Sequence, residues 1–292
     1  MHFLPLFRQF LVFSSLSGAV LVVHGVPLVS RQGSHVFVRA AETIPATVSW
    51  SEGQFLHKTF TAAEKDAFKN SITDIKLDKP IGAQGFNNEG VYAISGTYKG
   101  HTADTVVVKF LPSDKGDGAM GWSEVAALTA AGDYVASGKV KHPKTEKEQP
   151  AIVMKKASGE PLDSTEVYKT AKPEKQKEMR VELAPLMCKE VAKIAATKHV
   201  YHHDNNFGNV LVKLDSAHKI TSVALIDYGG EYSYIVKPGT SEEVLLQYCK
   251  EDWAASYEDG TRQGFGPRKP EGSGAKTGGA KTSGAKPSSG HK

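Results

Sequence analysis

One stretch of the chain carries oxygen and nitrogen side chains at a spacing suited to metal-assisted transfer chemistry. Tyr201-His202-His203-Asp204-Asn205-Asn206-Phe207-Gly208-Asn209 leads into an apolar run, and Asp227-Tyr228-Gly229 follows a second one. If residues 210–214 and 222–226 are the arms of a β-hairpin about the polar turn 215–219, Asn209 enters one arm and Asp227 leaves the other. Both then lie at the same end of the hairpin. A carboxamide oxygen and a carboxylate brought together there suit a hard cation such as Mg²⁺, which keeps several of its waters. Asp204, five residues before Asn209, is then free to take the proton of an acceptor hydroxyl. His202 and His203 offer imidazole nitrogens instead, so a different metal or structural site at this loop stays open as a reading of the same residues. Zinc on cysteine is excluded, because Cys188 and Cys249 are the only cysteines.

Such a hairpin needs elements to hold it. Apolar residues at 179, 183, 187, 191 and 194 predict an amphipathic helix over 174–200, with Pro185 kinking it or marking its start. Further upstream, glycines at 82, 85, 90, 96 and 100 separate two β-rich runs, 91–95 and 105–111, which read as an antiparallel pair. Lys109 sits in the second run. A helix over 122–131 containing Glu124 follows, then short strands at 134–140 and 150–154. Residues 42–80 read as an amphipathic lead-in, in which the capping box Thr61-Ala62-Ala63-Glu64 predicts a helix over about 62–73. Strands dominate first and helices second, an α+β architecture in two lobes.

The bulk composition agrees with a folded body between two atypical ends. The 292 residues are 40% hydrophobic and 23% charged, enough for a sizeable core, and a mean hydropathy of -0.33 excludes a polytopic membrane protein. The net charge of +4 conceals a split. Residues 261–292 hold seven Lys/Arg and one acid, leaving 29 basic against 31 acidic residues in the rest. A folded body with that balance is no nucleic-acid binder. At the other end, the 13-residue apolar run 11–23, small residues at Val23 and Gly25, and Pro27 read as a signal peptide, 1–25, cleaved after Gly25. Secretion, with no membrane attachment after cleavage, is the expectation; an uncleaved anchor is the other reading. In an oxidising compartment Cys188 and Cys249 can pair, although both also suit ordinary helix faces. The tail repeats Gly-Ala-Lys at 274, 279 and 284 and lacks the large apolar residues needed to offset ordering entropy, so 261–292 is expected to be disordered. It reads as an arm for an anionic surface or as a solvating tail.

The order His202-x-Asp204-x-x-x-x-Asn209, then Asp227-Tyr228-Gly229, resembles the catalytic loop and metal motif of the protein-kinase-like superfamily. That resemblance implies a two-lobed fold, a strand-rich N-lobe over 80–156 and a shortened helical C-lobe over 157–260, with 26–79 as an N-terminal extension. It further implies ATP and Mg²⁺ as cofactors. Asp204 would be the base, Asn209 and Asp227 the metal ligands, Lys109 the contact to the ATP phosphates, and Glu124 its partner. Gly82, Gly85, Gly90 and Val91 resemble a stretched glycine-rich phosphate loop, and 151–162, with Met154, resembles the hinge that meets adenine. The chain also departs from the family. His203 stands where many protein kinases have an Arg and Asn206 where they have a Lys, while Gly208-Asn209-Val210-Leu211-Val212 is similar to aminoglycoside and choline phosphotransferases. Gly260 lies only 31 residues after Gly229, so the substrate-binding helices of a full kinase cannot fit. Together with the signal peptide, the resemblance implies a secreted phosphotransferase acting on a protein or small-molecule hydroxyl, or else a secreted pseudokinase that serves as a binding module.

Overall fold

A computed structural model describes residues 48–82, 88–114, 116–204 and 207–252. Gly85, Asn206, the signal peptide and the basic tail lie outside the described residues. In chain order the elements are β1 (Ser51–Gln54), α1 (Ala62–Lys65), β2 (Leu77–Gly82), β3 (Val91–Ile94), β4 (Thr97–Tyr98), β5 (His101–Thr102), β6 (Val106–Phe110), α2 (Ala119–Ala131), β7 (Tyr134–Lys141) and β8 (Glu148–Lys155). Then follow β9 (Glu160–Pro161), α3 (Glu166–Thr170), α4 (Pro173–Lys198), β10 (Val200–His202), β11 (Val210–Leu214), β12 (Ile220–Leu225), β13 (Ser233–Val236) and α5 (Glu242–Asp252). The protein is mixed α+β, with several antiparallel sheets and a few helices.

The β-branched run in β6 makes it the centre of a five-stranded antiparallel sheet ordered β2-β3-β6-β8-β7. Because side chains alternate along a strand, Val106, Val108 and Phe110 join Tyr92, Ile94, Ala151 and Val153 in one cluster, while Lys109 takes the opposite face. Ile152, paired directly with Lys109, belongs to the larger core with Val125 and Leu128 of α2. The expected pairing of 91–95 with 105–111 is present as β3 against β6, with the small β4–β5 hairpin between them.

The helix predicted over 62–73 is not formed beyond Lys65. Its capping box is complete, Thr61 accepting from Glu64 and Glu64 from the Thr61 backbone, but the backbone of 70–72 is claimed elsewhere. Asn70 O accepts from Lys139 N at 2.9 Å, and Ile72 N donates to Lys139 O at 2.8 Å. Docking on β7 outweighs a marginal helix, and Phe68 is fully buried in the process. The lead-in is therefore core material. Trp50 and Phe55 are buried in the same cluster as α4, and β1 pairs with β13 in a sheet ordered β1-β13-β10, a sheet the strand patterns do not announce.

The long helix forms as α4, opening on Pro173 at its first turn and closing on His199 in the left-handed conformation. Pro185 neither starts nor ends it. Met179, Leu183, Met187, Val191 and Ala195 recur every four residues and are all buried, which is enough apolar surface to carry an exposed proline through the interior. Cys188 of α4 and Cys249 of α5 are joined in a disulfide, Cα atoms 5.5 Å apart. It ties α5 to the core and closes 61 residues of chain, a constraint worth about 4 kcal/mol in the chain-entropy account.

Candidate functional site

Lys109 is 3% exposed, and its ammonium is held by two carboxylates that come from distant parts of the chain. Nζ donates to Glu124 Oε1 at 2.6 Å and to Asp227 Oδ1 at 2.5 Å. Strand alternation aims Lys109 at α2, and α2 presents Glu124 from its second turn because the helix begins hard against the preceding loop. A Cβ on Gly121 would lie 1.8 Å from Gly116 O, and one on Gly230 would lie 1.9 Å from Ser123 Oγ. Both positions thus require glycine by close approach.

Asp227 leaves β12 with φ of 64°, a left-handed conformation that costs a non-glycine residue on the order of 1 kcal/mol. The surroundings enforce it. His202, 1% exposed, hydrogen-bonds through Nε2 to Ile226 O at 2.8 Å, so Nε2 carries the proton. Its ring meets Tyr228 edge-on at 4.8 Å. The histidine is thus a support beneath the Asp227 turn. His203 instead faces α5, with Nε2 3.7 Å from Asp252 Oδ2 and both side chains buried.

The hairpin of β11 and β12 closes as expected. Val210 pairs with Leu225, and Ile226 N donates to Asn209 O at 2.9 Å, which places Asn209 and Asp227 at one end. Asn209 Nδ2 donates to Asp204 O at 2.8 Å and to Asp204 Oδ2 at 3.0 Å. The carboxamide fixes the loop and leaves its oxygen as the group for a cation. Lys109, Glu124, Asp204 and Asp227 line one cleft together with Gly229, Gly230 and Glu231. Val91 stands opposite Lys109 and Met154 opposite Val107, on the Lys109 face of the sheet but outside the lining of the cleft. Gly90, at φ of 117°, immediately precedes β3, and Gly82 closes β2 opposite Val91.

The charges of the cleft are mutually dependent. Burial alone would push the Lys109 ammonium down, but Asp227 and Glu124 reverse this and hold it above the usual lysine range. The Lys109 charge keeps the Asp227 carboxyl below its usual range against the effect of burial. For Glu124 burial prevails, and its carboxyl is raised despite Lys109, with Asp227 and Glu231 adding to the rise. Among the described residues no cluster of three or more His, Cys, Asp or Glu side chains forms a metal cage. A cation here would rest on Asn209, Asp227, water and ligand oxygens.

Some supporting residues carry no local sequence signal. Gln54 Nε2 donates to Glu231 O at 2.7 Å and to Tyr234 Oη at 3.1 Å, and Leu56 N donates to Gly230 O at 3.1 Å. The segment before α1 thus clamps the loop after Asp227, across 177 residues of sequence in the case of Gln54 and Glu231. Only the Gly229-Gly230 doublet hints at a close approach. The sequence matches no protein-family model and no curated protein.

Proposed function

We propose that the chain is a kinase-like phosphotransferase that binds MgATP and passes its terminal phosphoryl group to a hydroxyl. The observation that carries this reading is the buried Lys109 ammonium, strapped between Glu124 and Asp227 at the wall of a cleft that also holds Asp204. A lysine so placed supplies a fixed, desolvated positive charge for phosphate oxygens. Asn209 and Asp227 supply the oxygen donors that suit Mg²⁺, and the metal ion would neutralise charge on the transferring group. Asp204, oriented by Asn209, takes the acceptor proton. Val91 and Met154 offer apolar surface near Lys109 for a base. The strand-rich part, 80–156, then corresponds to the N-lobe, and the helix-rich part, 157–260, to a shortened C-lobe. The buried Cys188–Cys249 bridge supports an oxidising destination, as secretion requires.

The test is thermal melting of the full chain with and without MgATP, for wild type and for Asp227→Ala and Asp227→Asn. A rise of several degrees that requires Mg²⁺ and vanishes in both variants is the expected result, through selective binding to the folded state. No rise at millimolar MgATP would leave only a binding module with this fold.

A further inference from the structure

We infer that Gln54 is a positioning residue for the metal and nucleotide site, because its side chain sets the turn that follows Asp227; this rests on the phosphotransferase reading above. The first observation is how that turn is held. Gly229, Gly230, Glu231 and Tyr232 line the cleft with Asp204 and Asp227, and Tyr232 N donates to Gly229 O at 2.9 Å, closing the turn on itself. The next three carbonyls each accept from a different group. Gly230 O accepts from Leu56 N at 3.1 Å and Tyr232 O from His203 N at 2.8 Å, while Glu231 O accepts from Gln54 Nε2 at 2.7 Å. The turn is thus bonded on one side to the lead-in and on the other to the loop that carries Asp204. Of these three donors only the Gln54 amide is a side-chain group.

The second observation is how Gln54 itself is fixed. It ends β1 directly opposite Tyr234 of β13, is 9% exposed, and donates from the same Nε2 to Tyr234 Oη at 3.1 Å. Both amide protons are therefore committed, one to β13 and one to the turn. A glutamine is mostly an exposed residue, and closing a strand gives it no reason to be buried. The lobes that the resemblance assigns begin at residue 80, so the site takes this support from outside them.

The third observation is what Asp227 requires. Its left-handed backbone is held from before by His202 on Ile226 O, and from after by the turn. A carboxylate that is to ligate a metal depends on the groups that fix it, and loosening those groups lowers metal affinity. The turn also carries Glu231, which adds to the rise of the Glu124 carboxyl, so a displaced turn is felt at the partner of Lys109 as well.

The test titrates MgATP, with Mg²⁺ in excess, against the full chain and reads the rise in melting temperature of each variant above its own ligand-free value. Gln54→Met keeps the length and removes the donor, and Gln54→Glu puts an acceptor in its place. In both, the MgATP concentration needed for a given rise is expected to increase several-fold. Gln54→Asn keeps an amide one carbon short and should give a smaller increase; it serves if the other two do not melt cooperatively. Val140→Ala is the comparison, a buried position of β7 in the other core cluster. It lowers the ligand-free melting temperature by leaving a cavity, yet needs no more MgATP, because a purely structural loss does not alter the affinity of the folded state. Wild-type affinity in every Gln54 variant that folds overturns the positioning role and leaves the phosphotransferase reading standing, and so does an equal increase in Val140→Ala. Absence of any MgATP-dependent rise in the wild type overturns both readings together.

Discussion

Lys109 is fixed by charge, and removing it leaves a buried carboxylate without a counter-ion. Lys109→Met is expected to cost about 3–5 kcal/mol in urea unfolding, the usual result of breaking a buried pair from one side. Adding Glu124→Gln should recover much of that loss, because the orphaned charge goes with it. The pH dependence has a definite sign. Lys109 is held above its ordinary 10.5, so its contribution is complete below that value and is lost as pH rises past it. Asp227 is held below its ordinary 3.8, so its contribution is complete above that value and is lost as pH falls further. Glu124 runs opposite to Asp227: its raised carboxyl makes the fold gain as acid is added. In Lys109→Met nothing opposes that rise, so the variant should become relatively more stable from pH 8 toward pH 5; parallel stability curves for variant and wild type would sink this account. At this scale the sequence is informative. Asp204, Asn209 and Asp227 are close along the chain or across one hairpin, and a hairpin can be read from its two apolar arms. Gln54 and Leu56 cannot be read that way, since a glutamine and a backbone amide carry no pattern that points to a loop so far along the chain.

Elements were legible where one periodicity governs and illegible where two partners compete for one backbone. The buried stripe of α4 was plain, and it persists through Pro185 because the stripe decides, while the proline sits on the solvent side. The segment after α1 shows the opposite case: its capping box is sound, yet β7 takes the backbone at 70–72. The sheet of β1, β13 and β10 leaves no pattern in the sequence because its strands are only three or four residues long, too short for alternation to register. The contact between α2 and the loop after Asp227 permits a sharp test. Gly230→Ala must displace Ser123, and Glu124 adjoins it. The variant is expected to lose about 1–3 kcal/mol from overpacking and to weaken the MgATP-dependent rise in melting beyond what that loss explains. An unchanged melting temperature, with and without nucleotide, would show that α2 does not depend on this approach.

For the whole molecule, the functional cleft cannot be separated from what precedes it. A chain starting at residue 80, where the resemblance begins, lacks Trp50, Phe55 and Phe68 from the core, the β1 partner of β13 and the Gln54 clamp. It should show no cooperative thermal transition, whereas a chain starting at residue 48 should melt like the full protein; equal behaviour of the two would make the lead-in dispensable. The opposite end is held by chemistry of another kind. The exposed turn around Gly239, between β13 and α5, is an open target for a protease, yet α5 is bonded to α4 through Cys188 and Cys249. A chain cut at that turn would still migrate as one piece until reduced, with its severed C-terminal part, α5 and tail, carried along by a single sulfur bond. Material that has been nicked there would pass for intact on any gel run without thiol.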